Sequence, residues 1–241
     1  EPRRVELLAQ YATLLEERNA RANLTAARGI DEIVDTLILR SLRLLHALSQ
    51  EERESLSGRN AQVMDVGSGA GVPGLIIKIA LPGVRMTLLD ATRKRTDFME
   101  EAVDALALEG VTVIHGRAEE LARAAGARES YDCVLSRAVA ALPELAELTL
   151  PLCRVGGKVL SLKGQDVGRE ISDAAWAVQT LGSERSETTT IARPGSAPAD
   201  TVVVWRKTSP TPDLYPRRVG IPHKRPLARR APLEESEPLS S

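Results

Sequence analysis

The sequence predicts an α/β fold: a mainly parallel sheet of seven strands with helices on both faces and a helical layer in front of it. Three observations carry that expectation. From Ala61 onward, short apolar runs alternate with helical stretches, the pattern of parallel strands joined by crossover helices. The first run empties into a turn with glycines at 67, 69, 71 and 74, where the backbone takes conformations closed to other residues and approaches a ligand closely. Upstream, residues 3 to about 58 repeat apolar side chains at helical rather than strand spacing.

In chain order, Val5, Leu7, Leu8, Tyr11, Leu14 and Leu15 form one helical stripe, and Ile33, Val34, Leu37, Ile38, Leu42, Leu45 and Leu48 a second. Asn23-Leu24-Thr25 breaks the two, and Asp31 is placed to cap the second. Gln50 to Asn60, rich in charge, serine and glycine, reads as a surface connection. Strands are expected near 61–66, 85–90, 111–115, 131–135 and 158–163, each short and apolar. Helices are expected over 75–81, 92–108 and 168–181. The stretches 184–192 and 201–206 read as an antiparallel pair closing the sheet, and 208–241, rich in proline and charge, as an extended tail. The chain thus divides into a helical region (1–60), a ligand-binding domain (61–207) and a tail that is basic, then acidic at Glu234, Glu235 and Glu237 (208–241).

Composition narrows the function classes. A chain of 241 residues buries a full core, and a formal net charge of −1 excludes an evenly basic surface, so nucleic-acid affinity must come from a local patch. Such a patch runs through Arg206, Lys207, Arg217, Arg218, Lys224, Arg225, Arg229 and Arg230, opposed only by Asp213. The bland reading of the same run is a solvated tail. Aromatic residues make up 2% of the chain, so arginine planes and phosphate contacts, not stacked aromatic platforms, would meet an RNA. Cys133 and Cys153 have neither zinc nor disulfide spacing, and His46, His115 and His223 are scattered, so no metal site is expected. With no apolar run approaching the ~20 residues of a membrane helix, and no leader, the expectation is a soluble cytoplasmic protein with no membrane partner, most simply a monomer.

In open sheets of this kind ligands gather at the carboxyl ends of the strands. Asp65, two residues before the first glycine, either orders the loop backbone or meets an ammonium group, and would repel a pyrophosphate. It turns the reading from a dinucleotide towards a sulfonium cofactor, S-adenosyl-L-methionine (AdoMet). A P-loop is excluded because no Gly-Lys-Ser/Thr follows. Asp90 ends the second strand about 20 residues beyond the glycine turn, where an acid accepts from a ribose hydroxyl pair; its alternative is a cap for the helix after it. That helix opens on Arg93-Lys94-Arg95, an unfavourable place for cations that suggests a second purpose. Ala118-Glu119 falls where a loop flanks an adenine, although Glu119 is equally an ordinary first-turn acid. Arg137 after the fourth strand and Lys163 at the end of the fifth are the candidate groups near a target base, the alternatives being a surface ion pair and plain solvent exposure.

What is missing constrains the chemistry. Carbon methylation of a pyrimidine needs a cysteine in a strand-end loop, but Cys133 lies inside a strand and Cys153 follows a helix. Methylation of an exocyclic amine calls for an Asp/Asn-Pro-Pro-aromatic turn after the fourth strand, where this chain has Ser136-Arg-Ala-Val139. A ring nitrogen with a free lone pair, such as N7 of guanine, has no proton to lose, and alignment can suffice without a general base.

Several motifs together resemble one family. They are Asn19-Ala-Arg-Ala-Asn-Leu-Thr-Ala26, Met64-Asp-Val-Gly-Ser-Gly-Ala-Gly-Val-Pro-Gly74, Leu88-Leu-Asp90 with Lys94-Arg95, Arg117-Ala-Glu119, Ser136-Arg-Ala138 and Tyr215-Pro-Arg-Arg-Val-Gly-Ile-Pro222. Across most of its length the chain resembles the RsmG (GidB) family of bacterial 16S ribosomal RNA guanine-N7 methyltransferases. The resemblance implies a Rossmann-like class I AdoMet-dependent methyltransferase fold. It implies AdoMet on Gly67, Val72, Ala118, Glu119 and Arg137, with Asp65, Gly69 and Gly71 also counted as cofactor-binding and Asp90, Ala91 and Thr92 near the ribose. The substrate would be a guanine of the 16S decoding region, in free 16S rRNA or a 30S subunit, gripped by Arg217, Arg218, Lys224 and Arg225. One segment departs: the family's His-x-Leu-Asp-Ser-Leu is here Leu37-Ile-Leu-Arg-Ser-Leu42, without the histidine or the aspartate. An NAD-binding oxidoreductase and a non-catalytic RNA-binding protein stay open as alternatives.

Overall fold

The computed structural model describes residues 1–58, 60–164, 167–192 and 199–227. Helix α1 (Pro2–Ala22) buries Tyr11, Ala12 and Leu15 from the predicted stripe. It stops because Asn23 turns left-handed at φ 47° and returns its N–H to Asn19. The Asn19 side chain then fixes the chain's departure, donating to Ala27 O at 3.1 Å and accepting from Thr25 N–H at 2.9 Å. A second helical segment changes pitch as it goes: α2 (Gly29–Ile33), a π-helical stretch (Val34–Leu39), α3 (Arg40–Leu42) and a 3₁₀ stretch (Arg43–Ala47). Glu32, not Asp31, reaches back to its start, accepting from Arg28 N–H at 2.6 Å.

Residues 50–57, expected as a connection, form helix α4 (Gln50–Ser57). Ser49 and Glu52 make a reciprocal capping box, at 3.2 Å and 2.9 Å, which outweighs the low apolar content of the segment. The alternating body follows as β1 (Gln62–Val66), α5 (Gly74–Ala80), β2 (Arg85–Asp90), α6 (Arg93–Ala105), β3 (Val111–His115) and α7 (Ala118–Leu121). It continues through β4 (Tyr131–Arg137), α8 (Leu142–Thr149), β5 (Cys153–Lys163), α9 (Gly168–Thr180), β6 (Ser183–Ile191) and β7 (Asp200–Lys207) to a short α10 (Ile221–Lys224).

The strand order is β3-β2-β1-β4-β5-β7-β6. β1 pairs in parallel with β2 on one side and β4 on the other, so the winding reverses there and opens a crevice above their carboxyl ends. β7 alone runs against its neighbours, antiparallel to both β5 and β6. The chain returns from edge strand β6 and inserts β7 inside it, and Val202, Val203, Val204 and Trp205 of β7 are accordingly buried. The result is a mixed α/β fold with a multi-stranded sheet, consistent with a Rossmann-like methyltransferase.

Alternation along the strands feeds two cores. Val63 faces a layer holding Tyr11, Leu15, Ile33, Leu75 and Phe98, so the N-terminal helices share a core with the sheet. Met64 and Val66 share the other core with Leu145 of α8, Ala177 of α9 and Trp205 of β7. Among the described residues no helix is long and apolar enough to cross a membrane.

Residues 208–227 differ from the expected extended tail by lying against the body. Arg128 donates to Thr211 O at 2.7 Å and Tyr215 O at 2.8 Å, and Arg123 to Pro216 O at 2.8 Å. These carbonyls have no regular secondary-structure partner, and arginine forks from the body satisfy them. The acidic end at 234–237, with Arg229 and Arg230, lies outside the described residues.

Candidate functional site

The site is built around the turn that leaves β1. Asp65 is fully buried and its Oδ2 accepts from Gly74 N–H at 2.8 Å, so the carboxylate clasps the two ends of the loop. Burial raises its carboxyl to about 7, against the downward pull of the Gly74 and Ser68 donors. Asp65 therefore orders the loop backbone from within the core. Gly67, Gly69 and Gly71 all have positive φ, and a Cβ on Gly67 would stand 2.6 Å from Val139, whereas above Gly69 the space is open. Tyr11 of α1 donates to Ala70 O at 2.7 Å, so the helical layer props the loop from outside.

Two cavities flank Gly67 at the strand ends. The smaller, about 90 Å³, has Asp90, Ala91 and Leu89 on one side and Ala118, Glu119 and Leu148 on the other. The larger, about 210 Å³, is walled by Gly69, Val72 and Ser68 of the loop, by Leu24 and Thr25 after α1, and by Arg95 and Arg137. Hollows of about 330 and 760 Å³ lie elsewhere, at the amino ends of β1, β4 and β5 and along α9, away from the crevice. Asp90 is almost wholly buried: Oδ2 accepts from Gly69 N–H and Oδ1 from Thr92 N–H, each at 2.9 Å. Asp90 thus holds the N–H of Thr92, the residue before α6, ties the glycine loop to it, and edges the small cavity.

Arg137, at the end of β4, donates to Thr36 O at 2.6 Å and Leu37 O at 3.3 Å. Both acceptors belong to the π-helical stretch, whose altered pitch leaves carbonyls available to an outside donor. Burial, and next the neighbouring Arg40, lowers the Arg137 guanidinium to about 10, so it stays charged at neutral pH. Arg40 is the residue that stands where the family has an aspartate. Its charge and that of Arg43 converge on Asp200, 1% exposed, at 2.6–2.8 Å.

Of the other sequence candidates, Gly71 and Thr92 line neither cavity. Lys163 lines neither cavity: its ammonium holds Ala140 O and Glu170, each at 2.8 Å, and so anchors the loop after β4. Cys133 and Cys153 are buried in the core, where desolvation pushes both thiols up, Cys153 to about 12. The sequence does not mark Leu24 and Thr25 as wall residues, because their contribution depends on the turn that Asn19 builds.

The C-terminal cations separate into spent and free. Arg206 pairs with Glu52 and Glu187, and buried Lys207 with Glu129, Leu150 O and Thr211. Arg217 clamps the wholly buried Glu147 through Nε, Nη2 and its own N–H. The expected RNA contact at Arg217 is thereby taken by an internal carboxylate, while Arg218, Lys224 and Arg225 are exposed. The same segment touches the site, since Gly220 N–H donates to Glu119 Oε1 at 3.0 Å.

Residues 4–197 match the model of the GidB family, rRNA small subunit methyltransferase G. The chain is 41% identical over 234 residues to the "Ribosomal RNA small subunit methyltransferase G" of Symbiobacterium thermophilum, covering 94% of this chain and 92% of that one. It is 38% identical to the protein of the same name from Moorella thermoacetica, covering 94% and 91%. Among solved structures, it is similar in fold to a mutant of MtNAS in complex with S-adenosylmethionine, with a TM-score of 0.53, 13% identity and coverage of 84% and 72%. A predicted O-methyltransferase from Agrobacterium tumefaciens gives a TM-score of 0.51, 18% identity and coverage of 73% and 86%. The matched region contains the glycine turn, Asp90, Ala118-Glu119 and Arg137, and the chain belongs to the GidB family of ribosomal RNA small subunit methyltransferases, as an enzyme of that family.

Proposed function

We propose that this enzyme, with a class I AdoMet-dependent methyltransferase fold, transfers a methyl group from AdoMet to N7 of a guanine in the decoding region of 16S rRNA. The observation that carries the reading is the pair of cavities meeting at Gly67, one bordered by Asp90 and Ala118-Glu119, the other by Arg137. Its donor set fits the cofactor. Asp90 offers carboxylate oxygens to ribose hydroxyls, the Ala118-Glu119 backbone borders a ring-sized space, and Arg137 supplies a fixed cation for the amino-acid carboxylate.

When bound, AdoMet supplies an electrophilic methyl group on a sulfonium. The chain's part is orientation: the loop held by Asp65 and Gly74, with Arg137, fixes the cofactor end, and the wall of Leu24 and Thr25 fixes the base. No thiol and no carboxylate lies in the wall of the larger cavity among the described residues, which suits a nucleophile that has no proton to give up. Exposed Arg218, Lys224 and Arg225 are proposed to meet RNA phosphates, and a ribosomal substrate puts the enzyme in the cytoplasm.

Calorimetric titration with AdoMet and with NADH tests the cofactor, and labelled methyl transfer to 16S rRNA and 30S subunits, with the base mapped, tests the reaction. AdoMet binding and a labelled guanine N7 are expected. NADH binding without AdoMet binding overturns the reading in favour of an oxidoreductase, and AdoMet binding without transfer leaves a non-catalytic RNA-binding protein.

A further inference from the structure

Arg93-Lys94-Arg95 puts three cations in the first turn of α6, against the helix dipole. Two have local partners. Lys94 donates to Ala22 O at 2.9 Å, at the carbonyl end of α1, and Arg93, mostly exposed, faces Asp97 one turn on at 3.9 Å. Arg95 differs. Its Nε is buried without a hydrogen-bond partner, and its Nη1 stands 3.5 Å from Asp90 Oδ2, an oxygen already engaged by Gly69 N–H. Its guanidinium has more donors than it uses.

Arg95 lines the same cavity as Arg137, and no carboxylate lines it among the described residues. Among the described residues Arg137 is held by the carbonyls of Thr36 and Leu37. Two guanidiniums therefore border one cavity at the strand ends, Arg95 with only the long 3.5 Å pair to Asp90 as counter-charge, and Thr25 and Ser68 of the same wall are neutral. The two arginines are not equivalent: Arg137 sits deep, whereas the Arg95 side chain is 40% exposed and stands at the rim beside exposed Arg93. A rim guanidinium with unused donors matches an anion that arrives from outside and stays partly solvated, and its planar fork suits a phosphodiester.

We propose that Arg95 binds the RNA phosphate next to the target nucleotide and so positions the base in the cavity. The inference rests on the AdoMet-dependent RNA methyltransferase reading. The cofactor's carboxylate is the other anion of matching chemistry, and Arg137 is the group assigned to it.

The test compares full-length wild type with Arg95→Gln and Arg95→Lys. Removing one charge-assisted hydrogen bond to phosphate raises KM for 16S rRNA by about 10- to 100-fold. Here kcat changes less than KM, and AdoMet affinity by calorimetry stays within about twofold of wild type, because Arg95 leaves the cofactor to other groups. The slope of log RNA affinity against log salt falls by about 0.7 in Arg95→Gln and is restored in Arg95→Lys. A loss of AdoMet affinity with an unchanged salt slope overturns the proposal and gives Arg95 to the cofactor carboxylate. Unchanged KM and slope in folded Arg95→Gln, judged by an unaltered urea midpoint, overturn it as well. If Arg95→Gln is destabilised, a salt slope below wild type in Arg95→Lys overturns it, since lysine keeps the charge. Wild type failing to bind AdoMet is a separate result and fells the parent reading instead.

Discussion

Asp200→Asn isolates the charge arrangement behind Arg137. Asp200 is 1% exposed and is the shared acceptor for Arg40 and Arg43, whose side chains are 23% and 11% exposed. Asparagine keeps the shape and removes the charge, leaving two guanidiniums that cannot shed a proton in a site that has excluded most water. Breaking a buried pair costs about 3–5 kcal/mol, and the partial exposure of Arg40 points to the low end, about 3 kcal/mol. Urea denaturation measures it as a lower midpoint at constant m, and because the group is buried the loss persists in 0.5 M salt, where the screening length is only about 4 Å. Combining Asp200→Val with Arg40→Leu and Arg43→Met recovers most of the stability, since an apolar triad replaces a buried ionic one at little net cost. A loss below about 1 kcal/mol, or one abolished by salt, refutes the reasoning that Asp200 neutralises a buried cluster.

Gly74→Ala places a Cβ 2.3 Å from Leu88 Cδ2 and 2.9 Å from Asp65 Oδ2; destabilisation of about 1–3 kcal/mol by urea denaturation is expected, together with weakened AdoMet binding. Asp65 has a carboxyl raised in the folded state, so its contribution is full below its unfolded pKa near 4 and is lost as pH rises through about 7. Asp65→Asn should therefore flatten that part of the stability-versus-pH curve, and urea midpoints between pH 4 and 8 that fall in parallel for both proteins contradict it. Arg217→Ala strands buried Glu147 and costs about 3 kcal/mol without changing the salt dependence of RNA binding. Arg218→Ala with Lys224→Ala leaves the urea midpoint near wild type and lowers the salt slope by about 0.7 for each phosphate no longer neutralised; an unchanged slope removes this face from the RNA interface.

Much of the sheet was legible because its signals are local. Five parallel strands and the glycine turn follow from apolar runs and glycine spacing, and β2 and β3 occupy the expected residues. α4 was legible too, in Ser49-x-x-Glu52, but a charge-rich composition masked its capping box. The insertion of β7 between β5 and β6 was not, since a hairpin pattern is the same whether its second strand lies outside or inside the first. Nor does periodicity distinguish a π-helical stretch from an α-helix over six residues, and it is that stretch which gives Arg137 its two carbonyls.

The larger gap between sequence and site concerns charge. A cation is visible in a sequence, but its neutralising partner is usually distant, and only the partner decides whether the charge is free to act. Arg206 finds Glu52 across 154 positions and Arg217 finds Glu147 across 70, while Lys163 meets Glu170 directly, seven positions on. In each case a basic residue that reads as an RNA contact is holding a loop or a strand edge. Arg95 shows the reverse: its position in the first turn of a helix is unfavourable on local grounds, and buried Asp90 meets it only at 3.5 Å, leaving its Nε without a partner. A cation retained against local energetics and left with unused donors at the mouth of a cavity is where an incoming anion gains most. The RNA-binding face is therefore predicted from how each charge is paired, with exposed Arg218, Lys224 and Arg225 and weakly paired Arg95 as its members, rather than from the density of basic residues along the chain.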